Sequence, residues 1–224
     1  GAPIATEDTG RVNAGSMTKV VISNNDMDPD GDDLTFMIIT PPTQGSASLS
    51  VDTITYNSTN GDYSGLDSLV YNACDGNGLC DTVTVYFEVN GRPIAQRDSV
   101  FINEGTVINI DIQANDSDPE GDSLVTQTTL ISTTASGATI TVLNNDSIVY
   151  NPNGFVGIDS VQYAICDTAG ACDTATVVIL TNGAPVADSD NLTINEDQNG
   201  QTVNVLIGDT DPNNNIDPTS VAVI

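Results

Sequence analysis

One short opening sequence occurs three times in this chain. Gly-Ala-Pro-Ile-Ala begins at Gly1, Gly-Arg-Pro-Ile-Ala at Gly91 and Gly-Ala-Pro-Val-Ala at Gly183, at separations of 90 and 92 residues. A fixed period of this kind indicates a chain built from similar structural units. We therefore predict a first repeat at residues 1–90, a second at 91–182, and the N-terminal fragment of a third at 183–224.

Within each repeat the apolar residues recur with the period of β-strands. About seven short strands, separated by clusters of Gly, Pro, Asn and Asp, are typical of a Greek-key β-sandwich. We therefore predict an all-β fold of tandem sandwiches. The predicted strands are 20–22, 34–40, 47–51, 53–56, 68–73 and 82–89 in the first repeat, and 99–103, 107–112, 124–132, 138–143, 147–150, 160–165 and 174–180 in the second. Tyr71 and Tyr163, four residues after Asp67 and Asp159, predict a tyrosine corner in each sandwich.

Each complete repeat carries a short acidic loop, at residues 25–34 and 115–124, which we call the first and second acidic loops. They read Asn-Asp-Met-Asp-Pro-Asp-Gly-Asp-Asp-Leu and Asn-Asp-Ser-Asp-Pro-Glu-Gly-Asp-Ser-Leu. Carboxylates this crowded repel one another unless a hard cation lies among them, and oxygen ligands on a flexible loop suit Ca²⁺. An EF-hand is a poor alternative because its twelfth position holds Met37 or Gln127 and not Glu. Turn chemistry alone explains only one or two Asp in each loop.

The sandwich topology predicts where further ligands come from. The opening strand, the acidic loop and the last hairpin of a seven-stranded Greek key lie at the same pole, so all three are expected to supply carboxylates. The predicted Ca²⁺ ligands are Asp8, Asp26, Asp28, Asp30, Asp32 and Asp75 in the first repeat, Asp98, Asp116, Asp118, Glu120, Asp122 and Asp167 in the second, and Asp190, Asp209 and Asp211 in the third. The corresponding loop of the third repeat, at residues 209–215, which we call the third loop, has Asn in place of the later carboxylates, and this predicts weaker binding there.

The four cysteines form two pairs with the same spacing, Cys74 with Cys80 and Cys166 with Cys172. A zinc site would need four ligands close together, but the chain has no His and the two pairs are far apart in sequence. Two local disulfides are therefore favoured. They indicate an oxidising, extracellular compartment.

The charge balance excludes several classes of partner. Lys and Arg total 4 against 31 Asp and Glu, which gives a net charge of -27. Such a chain offers no cationic surface for nucleic acid or anionic membranes. Hydrophobic residues make up 38% of the chain, which is enough for a core. No apolar run approaches the roughly 18 residues of a membrane span, and no signal peptide is visible, so we expect mature, secreted domains.

Taken together, these motifs resemble a known repeat type. The opening Gly-Arg-Pro-Ile-Ala, then Asn-Glu-Gly, the second acidic loop, Tyr-Asn-Pro, Gly-Ile-Asp-Ser and a Cys-Asp hairpin are similar to the tandem cadherin-like or Ig-like repeats of large bacterial surface adhesins. The resemblance implies secretion, rods stiffened by Ca²⁺ and display at the cell surface. The paired cysteines resemble repeats from Bacteroidetes, which implies type IX secretion and a gliding-motility or related surface adhesin.

Three functions are open at this point. The first is a structural spacer whose partners are the neighbouring repeats, with Ca²⁺ near each junction limiting the bend. The second is a module that binds a surface glycan or protein, although aromatic residues make up only 4% of the chain. The third, an enzyme, is disfavoured because no nucleophile lies in a recognisable catalytic setting, so no catalytic residue is predicted.

Overall fold

The structure, a computed structural model, describes residues 1–127, 136–144 and 146–222. These residues form β-strands, turns and short 3-10 helices, which include Ile22–Asn24 and Pro218–Ser220. The predicted all-β fold is therefore confirmed. Among the described helices, none has the length and apolar character of a membrane span.

The first repeat is a sandwich of two sheets built from seven strands, in agreement with the sequence. These strands are β1 (Asp8–Asn13), β2 (Met17–Val21), β3 (Thr35–Thr40), β4 (Ser46–Ser50), β5 (Thr53–Asn57), β6 (Gly65–Cys74) and β7 (Cys80–Asn90). One sheet has the order β1-β7-β6-β3 and the other the order β2-β5-β4. Strand β1 pairs in parallel with β7, whereas the other pairs are antiparallel.

The second repeat has the same order of strands. They are β8 (Asp98–Asn103), β9 (Ile108–Asp111), β10 (Val125–Thr126), β11 (Thr139–Leu143), β12 (Ser147–Asn151), β13 (Gly157–Cys166) and β14 (Cys172–Asn182). Its sheets have the orders β10-β13-β14-β8 and β11-β12-β9. The strand predicted at 124–132 is described only at Val125–Thr126, because residues 128–132 lie outside the described residues.

Strand β1 is the opening strand expected from the Greek-key topology to carry Asp8, but the apolar pattern predicts no range for it. Gly10 and Arg11 interrupt its apolar alternation. A Cβ atom on Gly10 would lie 2.9 Å from Val20 Cγ2 and 3.1 Å from Phe87 Cδ1. The glycine is therefore the residue that lets two core side chains approach the strand backbone closely.

The core of the first repeat lies between its two sheets. Strand β6 alternates buried and partly exposed residues from Asp67 onward, as a strand with one face on the core should. Tyr56 and Phe87 are fully buried and stack with their ring centroids 4.1 Å apart. Tyr150 and Tyr163 are fully buried in the second repeat.

By their internal contacts the residues form two units. The first unit comprises Gly1–Ala95, Asp116–Thr126 and Ile165–Asp173, and the second comprises Gln96–Asn115, Gln127–Ala164 and Thr174–Ile224. Most of the second acidic loop and the second cysteine hairpin therefore belong to the same unit as the first repeat.

The segment that follows Gly183 has a different character. A backbone bridge joins Val186 to Thr210, in the same way that Ile4 joins Met27 in the first repeat. None of the described residues after Gly183 is buried. Several large apolar side chains are exposed, among them Leu192, Ile194 and Ile207.

Candidate metal centre

Backbone pairing brings the first acidic loop beside the first cysteine hairpin. The loop runs directly into β3, whose first residue, Thr35, pairs with Cys74. Cys74 in turn pairs with Cys80 across the hairpin, and a disulfide joins the two. On the other side, Ile4 and Met27 exchange backbone hydrogen bonds of 2.8 and 3.0 Å. The three segments that the sequence predicts to supply carboxylates therefore lie side by side.

Asp28 organises the first acidic loop with one oxygen and leaves the other without a partner. Its Oδ1 accepts hydrogen bonds from the backbone N–H groups of Asp30, at 2.7 Å, and Asp32, at 3.5 Å. Its Oδ2 is buried and has no hydrogen-bond partner. Gly31 adopts a φ of 83°, the left-handed conformation that this turn requires.

Asp75 plays the same part in the cysteine hairpin. Its Oδ1 accepts from the backbone N–H groups of Asn77, at 2.8 Å, and Leu79, at 2.9 Å. Its Oδ2 is buried and has no partner, and the residue is only 5% exposed. The disulfide between Cys74 and Cys80 closes the hairpin around this residue.

Asp28, Asp32 and Asp75, which we call the first cluster, meet at this pole. One carboxylate oxygen from each lies within 4.8 Å of the others. Two of the three residues are at least nine-tenths buried, since Asp28 is 9% exposed and Asp75 5%. Buried carboxylate oxygens without donors are costly, and a bound cation removes that cost. All three side chains offer only oxygen atoms as metal ligands, so their chemistry fits Ca²⁺.

The second repeat carries Asp118, Asp122 and Asp167 at the corresponding positions, and we call these residues the second cluster. Asp118 Oδ1 accepts from the backbone N–H groups of Glu120, at 2.9 Å, and Asp122, at 3.1 Å, and its Oδ2 is buried without a partner. Asp167 is 6% exposed and sits in the hairpin closed by the second disulfide, between Cys166 and Cys172. Both predicted disulfides are thus present.

The two clusters differ at the carboxylate of the hairpin. Asp167 Oδ2 accepts a hydrogen bond of 2.8 Å from Asn90 Nδ2, whereas Asp75 Oδ2 has no partner. Among the described residues, only the first cluster brings three such groups within 4.8 Å of one another. Asn90 was not a predicted site residue, but the sequence holds a signal for it, because an Asn precedes the linker glycine at both Gly91 and Gly183.

Asp8 and Asp26, two further predicted ligands, are held by Tyr71. The Tyr71 hydroxyl donates to Asp26 Oδ2 at 2.7 Å, and its oxygen lies 3.3 Å from Asp8 Oδ2. Burial raises the pKa of Asp8, the hydrogen bond from Tyr71 opposes this, and the charge of Asp26 raises it further. Burial and the hydrogen bond to Asp26 raise the pKa of Tyr71, so its hydroxyl remains a donor.

The predicted tyrosine corners are wrong. Such a corner needs a hydroxyl that bonds to backbone a few residues upstream. Tyr71 reaches the acidic pole instead, and Tyr163 donates to the backbone oxygen of Gln96 at 2.9 Å and to Asp98 Oδ2 at 3.1 Å. The buried Asp67 is bound by Tyr56, whose hydroxyl lies 2.8 Å from its Oδ2.

The remaining predicted ligands lie in the three loops and, for Asp190, in the opening segment of the third repeat. Asp30 forms an ion pair with the amino group of Gly1, and both carboxylate oxygens of Glu120 accept from the Gly91 N–H at 3.2 Å. In the third loop Asp209 caps the Asp188 N–H at 2.7 Å, and Asp211 Oδ1 accepts from the Asn213 N–H at 2.7 Å. Asp116 and Asp190 are partly exposed.

A sequence profile of the bacterial Ig domain matches residues 1–88 and 90–180. The chain belongs to the bacterial Ig domain family. Its two matched regions are the two sandwiches described above, so the acidic loops and cysteine hairpins are parts of bacterial Ig repeats. No curated protein matches the chain significantly.

Solved structures with a similar fold include other multidomain proteins. An endo-fucoidan hydrolase of glycoside hydrolase family 107 is 18% identical with a TM-score of 0.34, over 82% of this chain and 29% of that one. The titin fragment I67–I69 is 13% identical with a TM-score of 0.42, over 84% and 69%. Drosophila N-cadherin EC1-4 is 14% identical with a TM-score of 0.34, over 82% and 52%. Similarity at this level carries no argument about the function of the bacterial Ig repeats.

Proposed function

We propose that this chain consists of Ca²⁺-binding spacer repeats of a secreted bacterial surface protein. The first cluster, Asp28, Asp32 and Asp75, forms one site, and Asp118, Asp122 and Asp167 form the other. The observation that carries the proposal is the pair of buried, unpartnered oxygens, Asp28 Oδ2 and Asp75 Oδ2, in a cluster of three carboxylates.

The electrostatics of the first cluster favour a cation strongly. An ionised group that is buried without a partner costs at least about 1–3 kcal/mol, and neighbouring like charges add to that cost. The chain has only 4 basic residues, so it has few means of balancing these carboxylates internally. Zinc prefers nitrogen and sulfur ligands, and Mg²⁺ requires near-ideal octahedral geometry. An oxygen-only cluster drawn from two turns suits Ca²⁺ better.

Each site joins parts of the chain that are distant in sequence. Asp28 and Asp32 come from the acidic loop, whereas Asp75 comes from the β6–β7 hairpin. The Oδ1 atoms of Asp28 and Asp75 already fix both turns through backbone N–H groups, so the partner-free Oδ2 atoms of these two residues are held in place for a ligand. Ca²⁺ supplies positive charge that neutralises the cluster when it is bound, and it would therefore fasten the loop to the hairpin.

The second site lies next to the linker between repeats. In the first unit, Asn90 binds Asp167, and Asn13 Nδ2 donates to the backbone oxygen of Ala169 at 3.3 Å. Ordering the second loop and hairpin would therefore also order the chain around Gly91. This supports a role in stiffening the array.

The bacterial Ig family and the two disulfides support a secreted location. The sequence resemblance extends the proposal to a cell-surface adhesin of the Bacteroidetes type, with type IX secretion and a role in gliding.

A sugar-binding or catalytic role has less support. Of the ten aromatic side chains, five are fully buried and Phe101 is the one that is exposed, so the described surface offers little for stacking on a glycan. Asp28, Asp75, Asp118 and Asp167 are tied into turns by hydrogen bonds from backbone N–H groups, which is not how paired catalytic carboxylates are placed.

Thermal unfolding tests the proposal. At a hundredfold excess over Kd, Ca²⁺ stabilises a single-site domain by about 2.7 kcal/mol, which corresponds to a rise in Tm of about 10 °C or more for a repeat of this size. The same melt is repeated in chelator and with Mg²⁺ in place of Ca²⁺. A Tm that is the same with Ca²⁺ and with chelator would contradict the proposal.

A further inference from the structure

The linker glycine Gly91 lies in a tightly packed setting. It is buried, and its N–H donates to both carboxylate oxygens of Glu120, each at 3.2 Å. A Cβ atom at this position would lie 2.9 Å from Ser64 Cβ and 3.0 Å from Pro119 Cγ. The linker backbone is therefore held between Ser64 of the first repeat and the second acidic loop. A residue larger than glycine would fit only if these neighbours moved.

The next linker glycine, Gly183, has the same surroundings with different residues. Its N–H donates to Asn213 Oδ1 at 2.6 Å. A Cβ atom there would lie 2.9 Å from Pro212 Cγ and 3.0 Å from Val156 Cγ1. At the first position, the nitrogen of Gly1 pairs with Asp30, and its Cβ would lie 3.6 Å from Pro29 Cγ.

Asp30, Glu120 and Asn213 occupy the same place in the three loops, directly after the proline. They differ in length and in charge, and share only a side-chain oxygen that accepts a hydrogen bond. A neutral amide makes the contact as well as a carboxylate does. The shared property is therefore an acceptor for the linker glycine, and not a negative charge for a cation.

The acidic residues on either side of this position belong to the metal cluster. Asp28 and Asp32 flank Asp30, and their oxygens belong to the first cluster, from which Asp30 is absent. In the second loop the unpartnered oxygen likewise belongs to Asp118, whereas Glu120 is engaged with Gly91. The residue after the proline therefore contacts the linker glycine, whereas the acidic residues two positions before and after it belong to the cluster.

We propose that the residue after the loop proline, Glu120 in the second repeat and its counterparts Asp30 and Asn213, is a linker latch. Its side-chain oxygen binds the N–H of the linker glycine and fixes the linker against the acidic loop, without acting as a metal ligand. The division of tasks within the loop rests on the proposed Ca²⁺ sites. The latch itself needs no cation, so it is tested separately in chelator.

The test compares Glu120→Ala with Glu120→Gln in the full 224-residue chain. Gln keeps an oxygen acceptor at this position, as Asn213 does, whereas Ala removes it. Hydrogen exchange of the Gly91 amide is followed by NMR in chelator. Exchange about tenfold faster or more in Glu120→Ala, with Glu120→Gln close to wild type, is the expected result. Unchanged Gly91 exchange in Glu120→Ala would overturn the latch.

Ca²⁺ titration of the same variants by calorimetry separates the latch from a ligand role. Affinities within about twofold of wild type are expected for both variants, because the residue does not touch the cation. A loss of about tenfold or more in both would make Glu120 a ligand and overturn the proposal. If the wild-type chain binds no Ca²⁺, the proposed function fails while the exchange result in chelator still decides the latch.

Gly91→Ala should also speed hydrogen exchange of the neighbouring linker amides. Gly61→Ala, whose Cβ meets nothing within 4 Å, is the control and should not.

Discussion

Asp75→Asn reports directly on the buried oxygen at the centre of the first cluster. The substitution keeps Oδ1, which accepts from Asn77 and Leu79, and replaces the unpartnered Oδ2 with a neutral NH₂ group. In chelator it removes an uncompensated buried charge, so we expect the first repeat to become more stable by about 1–3 kcal/mol. For a domain of this size that is a rise in Tm of about 4–8 °C per kcal/mol.

Calcium is expected to cancel this advantage. At a hundredfold excess over Kd the wild-type site gains about 2.7 kcal/mol, while the variant gains almost nothing from the same site. The two proteins should therefore melt far apart in chelator and close together in Ca²⁺. Differential scanning calorimetry of both proteins in both buffers measures the four values.

Asp62→Asn is the matched control, because it removes the same charge from an exposed position in the same repeat. It should change the unfolding free energy by less than about 0.5 kcal/mol in either buffer. The prediction is wrong if Asp75→Asn lowers the unfolding free energy in chelator, since Oδ2 would then have a stabilising partner. It is refuted equally if the variant keeps the full calcium-induced shift.

Further predictions concern the buried Asp67 and one crowded glycine. Tyr56→Phe removes the 2.8 Å hydrogen bond to Asp67 and should lower the unfolding free energy by about 2 kcal/mol in urea titrations; an unchanged value would count against the bond. Burial alone would raise the pKa of Asp67, but hydrogen bonds from backbone amides and Tyr56 hold it below its ordinary value. Its stabilising contribution should therefore be complete above about pH 4 and be lost as the pH falls through the folded-state pKa, which NMR titration of the carboxyl carbon measures. Gly45→Ala would place a Cβ 2.5 Å from the Asn57 backbone oxygen and should cost more than about 2 kcal/mol, whereas Gly61→Ala should cost little.

The sandwich fold was predictable because its signals are local and repeated. Strand β6 shows the period-two alternation directly, and turn residues mark its ends. The range of strand β1 was not predicted, because Gly10 is required by close contacts with Val20 and Phe87 that exist only in the folded sandwich. Its partner strand β7 is more than 60 residues away, and no local pattern records that pairing.

The position of the acidic pole was predictable from the sequence, but the role of each of its carboxylates was not. Repetition of the loop and hairpin points to Asp28 and Asp75 together. The direction of each carboxylate depends on which backbone N–H groups it accepts from and on which side chain lies opposite. The Tyr71 hydroxyl donates a hydrogen bond to Asp26, and the Gly91 N–H donates one to Glu120. Neither role could be derived from the spacing of the residues alone.

Native mass spectrometry of the full chain counts the Ca²⁺ ions that the two clusters hold. Two tightly bound ions are expected in wild type, one in Asp75→Asn and none when Asp167→Asn is added. A wild-type chain that carries no Ca²⁺, or an unchanged count in the double variant, would contradict the claim that these carboxylates form the metal sites.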